Sequence, residues 1–183
     1  MLQRLRSLAR QGLNRVEAAL HAGRRRRALD QVRRRSDATL VFICLGNICR
    51  SPFAELWMHR RRPEAAGVVT SAGFMPGGRA SPDNAVAVAR TVFDLDLTTH
   101  TSRGISDIAD EDRLWVVMEH VHLRRLMRQG GPREDILILG DLDPGVIERR
   151  AILDPYGKSE EIFEARYRRI VRCLEALDEA RAP

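Results

Sequence analysis

A cysteine and an arginine six positions apart mark the segment of this sequence with the clearest chemistry. Cys44 ends an apolar run, and Arg50, Ser51 and Pro52 follow after five intervening residues. A tight turn into a helix directs backbone N–H groups toward one point, and the positive end of the helix dipole adds to their attraction for an anion. Arg50 can donate two parallel hydrogen bonds to a phosphoryl group. The spacing therefore predicts a phosphate-binding loop with a cysteine at its start.

The same surroundings favour a reactive sulfur. Helix N-termini and cationic side chains stabilise a cysteine thiolate, which is the nucleophilic form. We predict that Cys44 is ionised at neutral pH and attacks phosphorus, with a hydrogen bond from Ser51 to its sulfur. The residues predicted to bind phosphate or support the loop are Leu45, Gly46, Asn47, Ile48, Cys49 and Ser51. The alternative interpretation is that Cys44 and Cys49 are buried core cysteines, as free cysteines often are.

Short apolar runs alternate with helical patterns from residue 39 onward. The predicted elements are strands over 39–44, 67–71, 114–118 and 136–139, and helices over 51–61, 82–93, 121–129 and 159–180. Continuous apolar strands between helices are typical of a parallel sheet covered on both faces. The predicted fold class is α/β, a doubly wound domain with four parallel strands. Its ligand site should lie beyond the carboxyl ends of the strands.

Positive charge is concentrated at the start of the chain. Residues 1–37 carry eleven Arg and three acidic side chains, whereas residues 38–183 carry 20 basic and 22 acidic side chains. Apolar residues at helical spacing predict an amphipathic helix over 2–22, interrupted at Gly23. We therefore expect a basic helical extension over 1–37 and a folded domain over 38–183.

A basic amphipathic helix can lie on an anionic membrane surface or contact a protein partner. The alternative is a solvated, arginine-rich tail. Basic and acidic side chains balance in residues 38–183, so we expect no specific nucleic-acid binding.

The cysteine count and the hydropathy pattern bear on location. Three cysteines, an odd number, argue against a disulfide framework. No apolar run is long enough to span a bilayer, and the N-terminus lacks the apolar core of a secretory signal. The predicted location is cytoplasmic, with residues 1–37 available for peripheral membrane contact. His120 and His122 lack the partners of a metal site, so no metal or cofactor is expected.

Cleavage of a phosphate ester also needs an acid to protonate the leaving oxygen. Two Asp-Pro pairs offer one, at Asp143 and at Asp154, and their spacing does not decide between them. Asp141 and Asp143 are more typical of surface turns.

The segment CLGNICRSP at residues 44–52 resembles the phosphate-loop signature of the low-molecular-weight protein-tyrosine phosphatases. Other segments similar to that family follow in its order over residues 38–183, namely Ser71-Ala-Gly73, His100-Thr-Ser-Arg103, Val117-Met-Glu119 and Asp154-Pro-Tyr156. The resemblance implies that Asp154 is the general acid and that Tyr156 lines the pocket and stacks on an aromatic leaving group. Phe74 or Met75 would replace the pocket wall found after Gly73 in many members; we predict Phe74.

The resemblance implies hydrolysis of phosphotyrosine in proteins through a phosphocysteine intermediate, with Cys44 as nucleophile and Arg50 as phosphate clamp. Bacterial relatives often oppose tyrosine kinases, so such a kinase is an expected phosphotyrosine substrate and partner. Ile48 resembles tyrosine-specific members, since members that act on phosphoarginine tend to have Thr there. The alternatives are a phosphoarginine phosphatase and a catalytically silent phosphate-binding regulatory module on the same fold.

Overall fold

The computed structural model of the chain describes residues 20–108, 112–145, 147 and 149–182. Most of the amphipathic helix predicted over residues 2–22 lies outside the described residues. No helix in the described part of the chain combines the length and the apolar character needed to cross a membrane.

The described elements follow the predicted order from residue 39 onward. The strands are β1 (Thr39–Cys44), β2 (Val69–Gly73), β3 (Arg113–Val117) and β4 (Ile136–Ile138). The helices are α1 (residues 20–34), α2 (Arg50–Arg61), α3 (Asp83–Phe93), α4 (His120–Arg128) and α5 (Glu160–Arg181). Each predicted strand and helix of the domain is present, with its ends shifted by no more than two residues.

All four strands pair in parallel, in the order β2-β1-β3-β4. The chain leaves β1 toward β2 on one side and later returns to β3 on the other. Parallel sheets open a crevice at such a switch, beyond the carboxyl ends of the strands. Cys44 is the last residue of β1 and pairs with Gly73 at the end of β2, so the switch lies at the cysteine. This topology confirms the predicted doubly wound α/β fold.

The sheet is apolar on both faces. Alternate residues of β1 belong to two separate clusters: Leu40 and Phe42 lie in the larger one, Val41 and Ile43 in the smaller one. Successive strand residues point to opposite faces, so a strand covered on both sides is apolar throughout. The larger cluster takes in residues of α1, α2, α3 and α5, and the smaller one residues of α4.

Helix α1 packs against this domain. Ala28 and Val32 are buried in the larger cluster, and the helix continues through Gly23, where we expected an interruption. His21 Nε2 donates to the carbonyl of Asp143 at 2.8 Å, and Gln31 donates to a backbone carbonyl after α4 at 2.7 Å. Part of the predicted extension therefore contacts the domain, while the predicted boundary near residue 38 stays a prediction.

Asp141 and Asp143 are buried, so the prediction that they are surface turn residues was wrong. Arg150 bonds both carboxylate oxygens of Asp141, and Arg169 and Arg172 reach Asp143 Oδ2 at 2.9 and 3.2 Å. Burial alone would raise the pKa of Asp143, but hydrogen bonds from Arg172, a backbone N–H and Arg169 lower it below its usual value. Arg150 thus covers Asp141, and two arginines of α5 cover Asp143.

Docking of α1 can be tested by shortening one buried side chain. Val32→Ala should lower the free energy of unfolding by about 2 kcal/mol, because it removes buried methyl groups and leaves a cavity. Arg34 is exposed on the same helix, so Arg34→Ala should change stability by less than about 0.5 kcal/mol. Urea denaturation measures both variants. Equal effects would contradict the packing of α1 on the domain.

Candidate active site

Residues 44–50 form a loop between β1 and α2 around the sulfur of Cys44. The backbone N–H of Asn47 donates to Sγ at 3.2 Å, and Ser51 Oγ lies 3.1 Å from Sγ. Asn47 has a φ of +52°, in the left-handed region that Asn tolerates better than most residues. The loop therefore brings a backbone donor and a hydroxyl to one sulfur atom.

A chain of hydrogen bonds sets the direction of the Ser51 hydroxyl. The amide nitrogen of Asn47 donates to Ser51 Oγ at 2.9 Å and to Ser71 Oγ at 2.7 Å. Ser71 donates in turn to Glu55 Oε2 at 2.5 Å. Because Ser51 Oγ accepts from Asn47, its own proton points to the sulfur of Cys44 or to the carbonyl of Ala72, which lie 3.1 and 3.4 Å away. The backbone N–H of Asn47 and the hydroxyl of Ser51 thus both lie within hydrogen-bond distance of the sulfur.

The other side of Asn47 is also fixed. Its Oδ1 accepts from the backbone N–H of Arg103 at 2.8 Å, and the Arg103 guanidinium bonds Glu55 Oε1 at 2.7 Å. Asn47 is completely buried, and every polar atom of its side chain is bonded. We did not predict Glu55 as a site residue. No local pattern marks it, whereas Ser71 and Arg103 fall in segments that resemble the family.

The carbonyl oxygens of the loop are held by donors around it. The contacts are Leu45 O from Phe74 N at 2.9 Å, Gly46 O from Arg79 Nη2 at 2.8 Å, Asn47 O from His100 Nε2 at 2.7 Å, and Cys49 O from Tyr167 Oη at 3.2 Å. A peptide plane places its N–H opposite its C=O, so carbonyls bonded from outside leave N–H groups for the interior of the loop. This arrangement suits an anion-binding nest.

The end of β2 allows the loop to pass close by. A Cβ atom on Gly73 would lie 2.8 Å from the backbone nitrogen of Asn47 and 2.9 Å from the carbonyl carbon of Gly46. These contacts are to backbone atoms, which cannot rotate away. Only glycine fits there without moving the loop.

Arg50 is almost fully buried beside two carboxylates. Its Nη1 donates to Glu119 Oε1 at 2.6 Å and to the carbonyl of Ile152 at 2.9 Å. Its Nη2 lies 2.7 Å from Asp154 Oδ2. A buried charge is costly unless it is paired, and the two carboxylates supply that pairing. We did not predict a role for Glu119, although its segment resembles the family.

Cys44 and Asp154 line the same cavity, whose volume is about 260 Å³. Its lining residues are Cys44, Leu45, Gly46, Ile48, Cys49, Met75, Arg79, Asp154 and Tyr156. Tyr156 is 61% exposed, and its backbone N–H bonds Asp154 Oδ1 at 3.2 Å. The structure therefore brings the predicted nucleophile, acid and pocket tyrosine to one opening.

Phe74 does not line this cavity, and its predicted place in the substrate pocket was wrong. Its ring centroid lies 5.6 Å from that of His122 and 4.5 Å from the guanidinium carbon of Arg125. It packs against the smaller apolar cluster. Met75, the next residue, lines the cavity instead.

Burial shifts the pKa of two other cysteines and of one histidine. Burial, with a further contribution from Cys44, raises the pKa of Cys49, and burial raises the pKa of Cys173. Burial, aided by the charge of Arg50, lowers the pKa of His122 to about 4. Within the described ranges, no three His, Cys, Asp or Glu side chains are grouped to hold a metal ion.

A doubly wound sheet with a Cys-x5-Arg loop at the end of its first strand defines a class of phosphatase. The sequence profile of the family described as "Low molecular weight phosphotyrosine protein phosphatase" matches residues 39–181. The chain belongs to this family.

Known relatives agree with this assignment in sequence and in structure. The low molecular weight protein-tyrosine-phosphatase Wzb of Salmonella typhi is 34% identical over 130 residues, which cover 70% of this chain and 83% of the relative. A low molecular weight phosphotyrosine protein phosphatase of Sus scrofa is 33% identical over 150 residues, covering 75% and 92%. The crystal structure of the tyrosine phosphatase Wzb from Escherichia coli K30 in complex with sulphate superposes with a TM-score of 0.66 and 28% identity, covering 76% of this chain and 95% of that one.

The close passage at Gly73 can be tested by adding one methyl group. Gly73→Ala should lower kcat/KM for para-nitrophenyl phosphate by about 100-fold, because the displaced loop misaligns the reacting atoms. Gly23 is a matched control, since a Cβ there meets nothing within 4 Å. Gly23→Ala should keep full activity and gain up to about 1 kcal/mol of stability. Full activity in Gly73→Ala would contradict the described contact.

The hydrogen-bond partners of the Cys44 sulfur predict selective alkylation. Iodoacetamide should modify Cys44 at neutral pH in the folded protein, because hydrogen bonds from Ser51 and Asn47 stabilise its thiolate. Burial raises the pKa of Cys49 and Cys173, so these thiols stay protonated as the pH rises through neutrality and react only after unfolding. Peptide mass spectrometry across pH measures all three sites.

Ser51→Ala provides the comparison for this experiment. Loss of its hydroxyl should move the alkylation profile of Cys44 to higher pH. A wild-type profile that rises only under alkaline conditions would show that Cys44 is an ordinary thiol.

Proposed function

We propose that this chain hydrolyses phosphotyrosine in proteins through a phosphocysteine intermediate. The observation that carries the proposal is the convergence of Cys44, Arg50 and Asp154, with sulfur and carboxylate lining one cavity and the guanidinium bonded to the carboxylate. The loop N–H groups and Arg50 would bind the phosphoryl oxygens, whose charge increases in the transition state.

Substrate binding would also prepare the acid. In the free protein Arg50 Nη2 pairs with Asp154. A phosphoryl dianion that accepts a hydrogen bond from Arg50 competes with that carboxylate and places negative charge beside it. Both effects would weaken the contact between Arg50 and Asp154 and free the Asp154 carboxyl group to act at the leaving oxygen.

In the first step the thiolate of Cys44 attacks phosphorus. An S–P bond forms, the bond from phosphorus to the phenolic oxygen breaks, and Asp154 gives its proton to that oxygen. In the second step Asp154 accepts a proton from water, the water oxygen bonds to phosphorus, and the S–P bond breaks. The hydrogen bond from Ser51 stabilises Cys44 as the leaving thiolate.

The rim of the cavity supports an aromatic substrate. Leu45, Met75 and Tyr156 are exposed there, and Ile48 lies within. These side chains can pack against a phenyl ring, and Tyr156 can stack on it. Ile48 offers no side-chain acceptor for the N–H groups of a phosphorylated guanidinium. We therefore propose phosphotyrosine rather than phosphoarginine, in a protein such as a bacterial tyrosine kinase.

A cytoplasmic location and contact of residues 1–37 with an anionic membrane or protein partner also stay proposals. The support for surface contact is the exposure of Arg26, Arg27 and Arg34 on α1, since exposed cations attract anionic surfaces.

The proposed reaction is tested with para-nitrophenyl phosphate, a phosphotyrosine peptide and a phosphoarginine peptide. Wild type should hydrolyse the first two, and Cys44→Ser should abolish turnover because the hydroxyl is a weaker nucleophile and a poorer leaving group. Faster hydrolysis of phosphoarginine would favour the first alternative function. Inactivity on all three substrates, together with phosphate binding, would favour the silent regulatory module.

Two aspartate variants identify the acid in the same assay. Asp154→Asn should lower kcat on the phosphotyrosine peptide by about 100-fold or more, since general acid catalysis contributes that much. Asp143→Asn should lower the melting temperature, because buried Asp143 forms ion pairs with Arg169 and Arg172, and keep kcat. A loss of kcat in Asp143→Asn together with full kcat in Asp154→Asn would show that Asp143, and not Asp154, is the acid.

A further inference from the structure

A second cavity, of about 250 Å³, lies beside the segment that leads to Asp154. We name it the arginine cavity; its lining residues are Asp143, Ile147, Arg149, Leu153, Arg166, Arg169 and Arg172. Four guanidinium groups face one carboxylate, which leaves a formal charge of +3 among these residues. A concentration of like charge is unfavourable unless an anion balances it.

Asp143 neutralises part of the positive charge of the arginines. It accepts from Arg169 Nε at 2.9 Å and from Arg172 Nη2 at 3.2 Å. Arg169 Nη1 and Nη2 donate to the carbonyls of Ala151 and Arg149, at 2.9 and 2.8 Å, so each nitrogen of its guanidinium has an acceptor. Arg169 is therefore satisfied, whereas Arg172 shares its carboxylate and is 49% exposed.

Arg166 lacks a comparable partner. Its Nε is shielded from solvent and has no hydrogen-bond acceptor among the described residues. Arg166 and Arg169 are three positions apart on α5 and so share a face, where like charges repel. A shielded donor without an acceptor costs stability unless a ligand or water satisfies it. The position of Arg166 thus points to an anionic ligand.

We propose that the arginine cavity binds a phosphate group, either inorganic phosphate or the terminal group of a phosphomonoester. Arg166 and Arg172 would donate to its oxygens, and Arg149 would close the site from the opposite segment. Arginine is suited to this role because its planar fork matches two phosphate oxygens. The volume is close to that of the cavity at Cys44, so a small organic group also fits against Leu153 and Ile147.

The arginine cavity is separate from the phosphate loop, but one segment of the chain contacts both. Arg169 holds the carbonyl of Ala151, Arg50 holds the carbonyl of Ile152, and Leu153 lines the arginine cavity immediately before Asp154. A ligand in the arginine cavity would therefore contact the segment that carries the proposed acid.

The test is an NMR titration of the full, ¹⁵N-labelled chain with inorganic phosphate and, separately, with O-phosphoserine. Resonances of Arg166 and Arg172 should shift to saturation, whereas sodium chloride at equal ionic strength should not shift them in this way. Amides of residues 44–51 report on the phosphate loop independently. If these amides do not respond to phosphate, the proposed function is contradicted but the proposal for the arginine cavity is not. A response of α5 to both ligands assigns the site to phosphomonoesters, and a response to inorganic phosphate alone assigns it to the free anion.

Two variants make the result specific. Arg166→Gln should weaken phosphate binding at α5 by about tenfold, because it removes a charge-assisted hydrogen bond, and should keep the fold, since no described contact is lost. Arg168→Gln is the control: Arg168 is 57% exposed and pairs with Glu164, so its loss should leave binding unchanged. Absence of saturable shifts in α5, or equal affinity in both variants, would overturn the proposal.

Discussion

The structure of the site depends on one chain of hydrogen bonds that ends at the sulfur of Cys44. It starts at the carboxylate of Glu55 and passes through Ser71, Asn47 and Ser51. Both hydroxyls accept from the amide of Asn47. Ser71 donates to Glu55, and Ser51 can donate to the sulfur of Cys44 or to the carbonyl of Ala72. In a buried setting such a chain holds a single arrangement more firmly than separate contacts would. The loop is therefore organised before any anion arrives.

Arg50 connects the loop to two other segments of the chain. Its guanidinium joins Glu119, at the end of β3, and Asp154, in the segment before α5. Three parts of the chain that are distant in sequence meet at one buried cation. Parallel strands make this meeting geometrically simple, because their carboxyl ends all lie at one edge. The fold and the site thus follow from the same topology.

The elements and the loop were predictable from sequence because they depend on local signals. The apolar run before Cys44, the fixed spacing to Arg50 and the proline in the first turn of α2 act within a dozen residues. The predictions that were wrong depend on contacts between residues that are distant in sequence. Asp143 looked like a turn residue because its partner Arg169 is 26 positions away. Phe74 was assigned to the pocket because nothing local distinguishes its direction from that of Met75. The packing of α1 on the domain was not predicted, because the many arginines of this segment obscure its apolar positions in the sequence.

Cys44 is only 2% exposed, so the cavity would distinguish phosphorylated residues by the length of their side chains. A phosphorylated residue must extend past the rim formed by Leu45, Met75 and Tyr156 before its phosphorus reaches the sulfur. A tyrosine holds its phosphate a full ring width from the peptide backbone, whereas a serine holds it only two bonds from the α-carbon. With a short side chain the substrate's own backbone would collide with the rim, so discrimination between phosphorylated residues would come from distance before any specific contact is made.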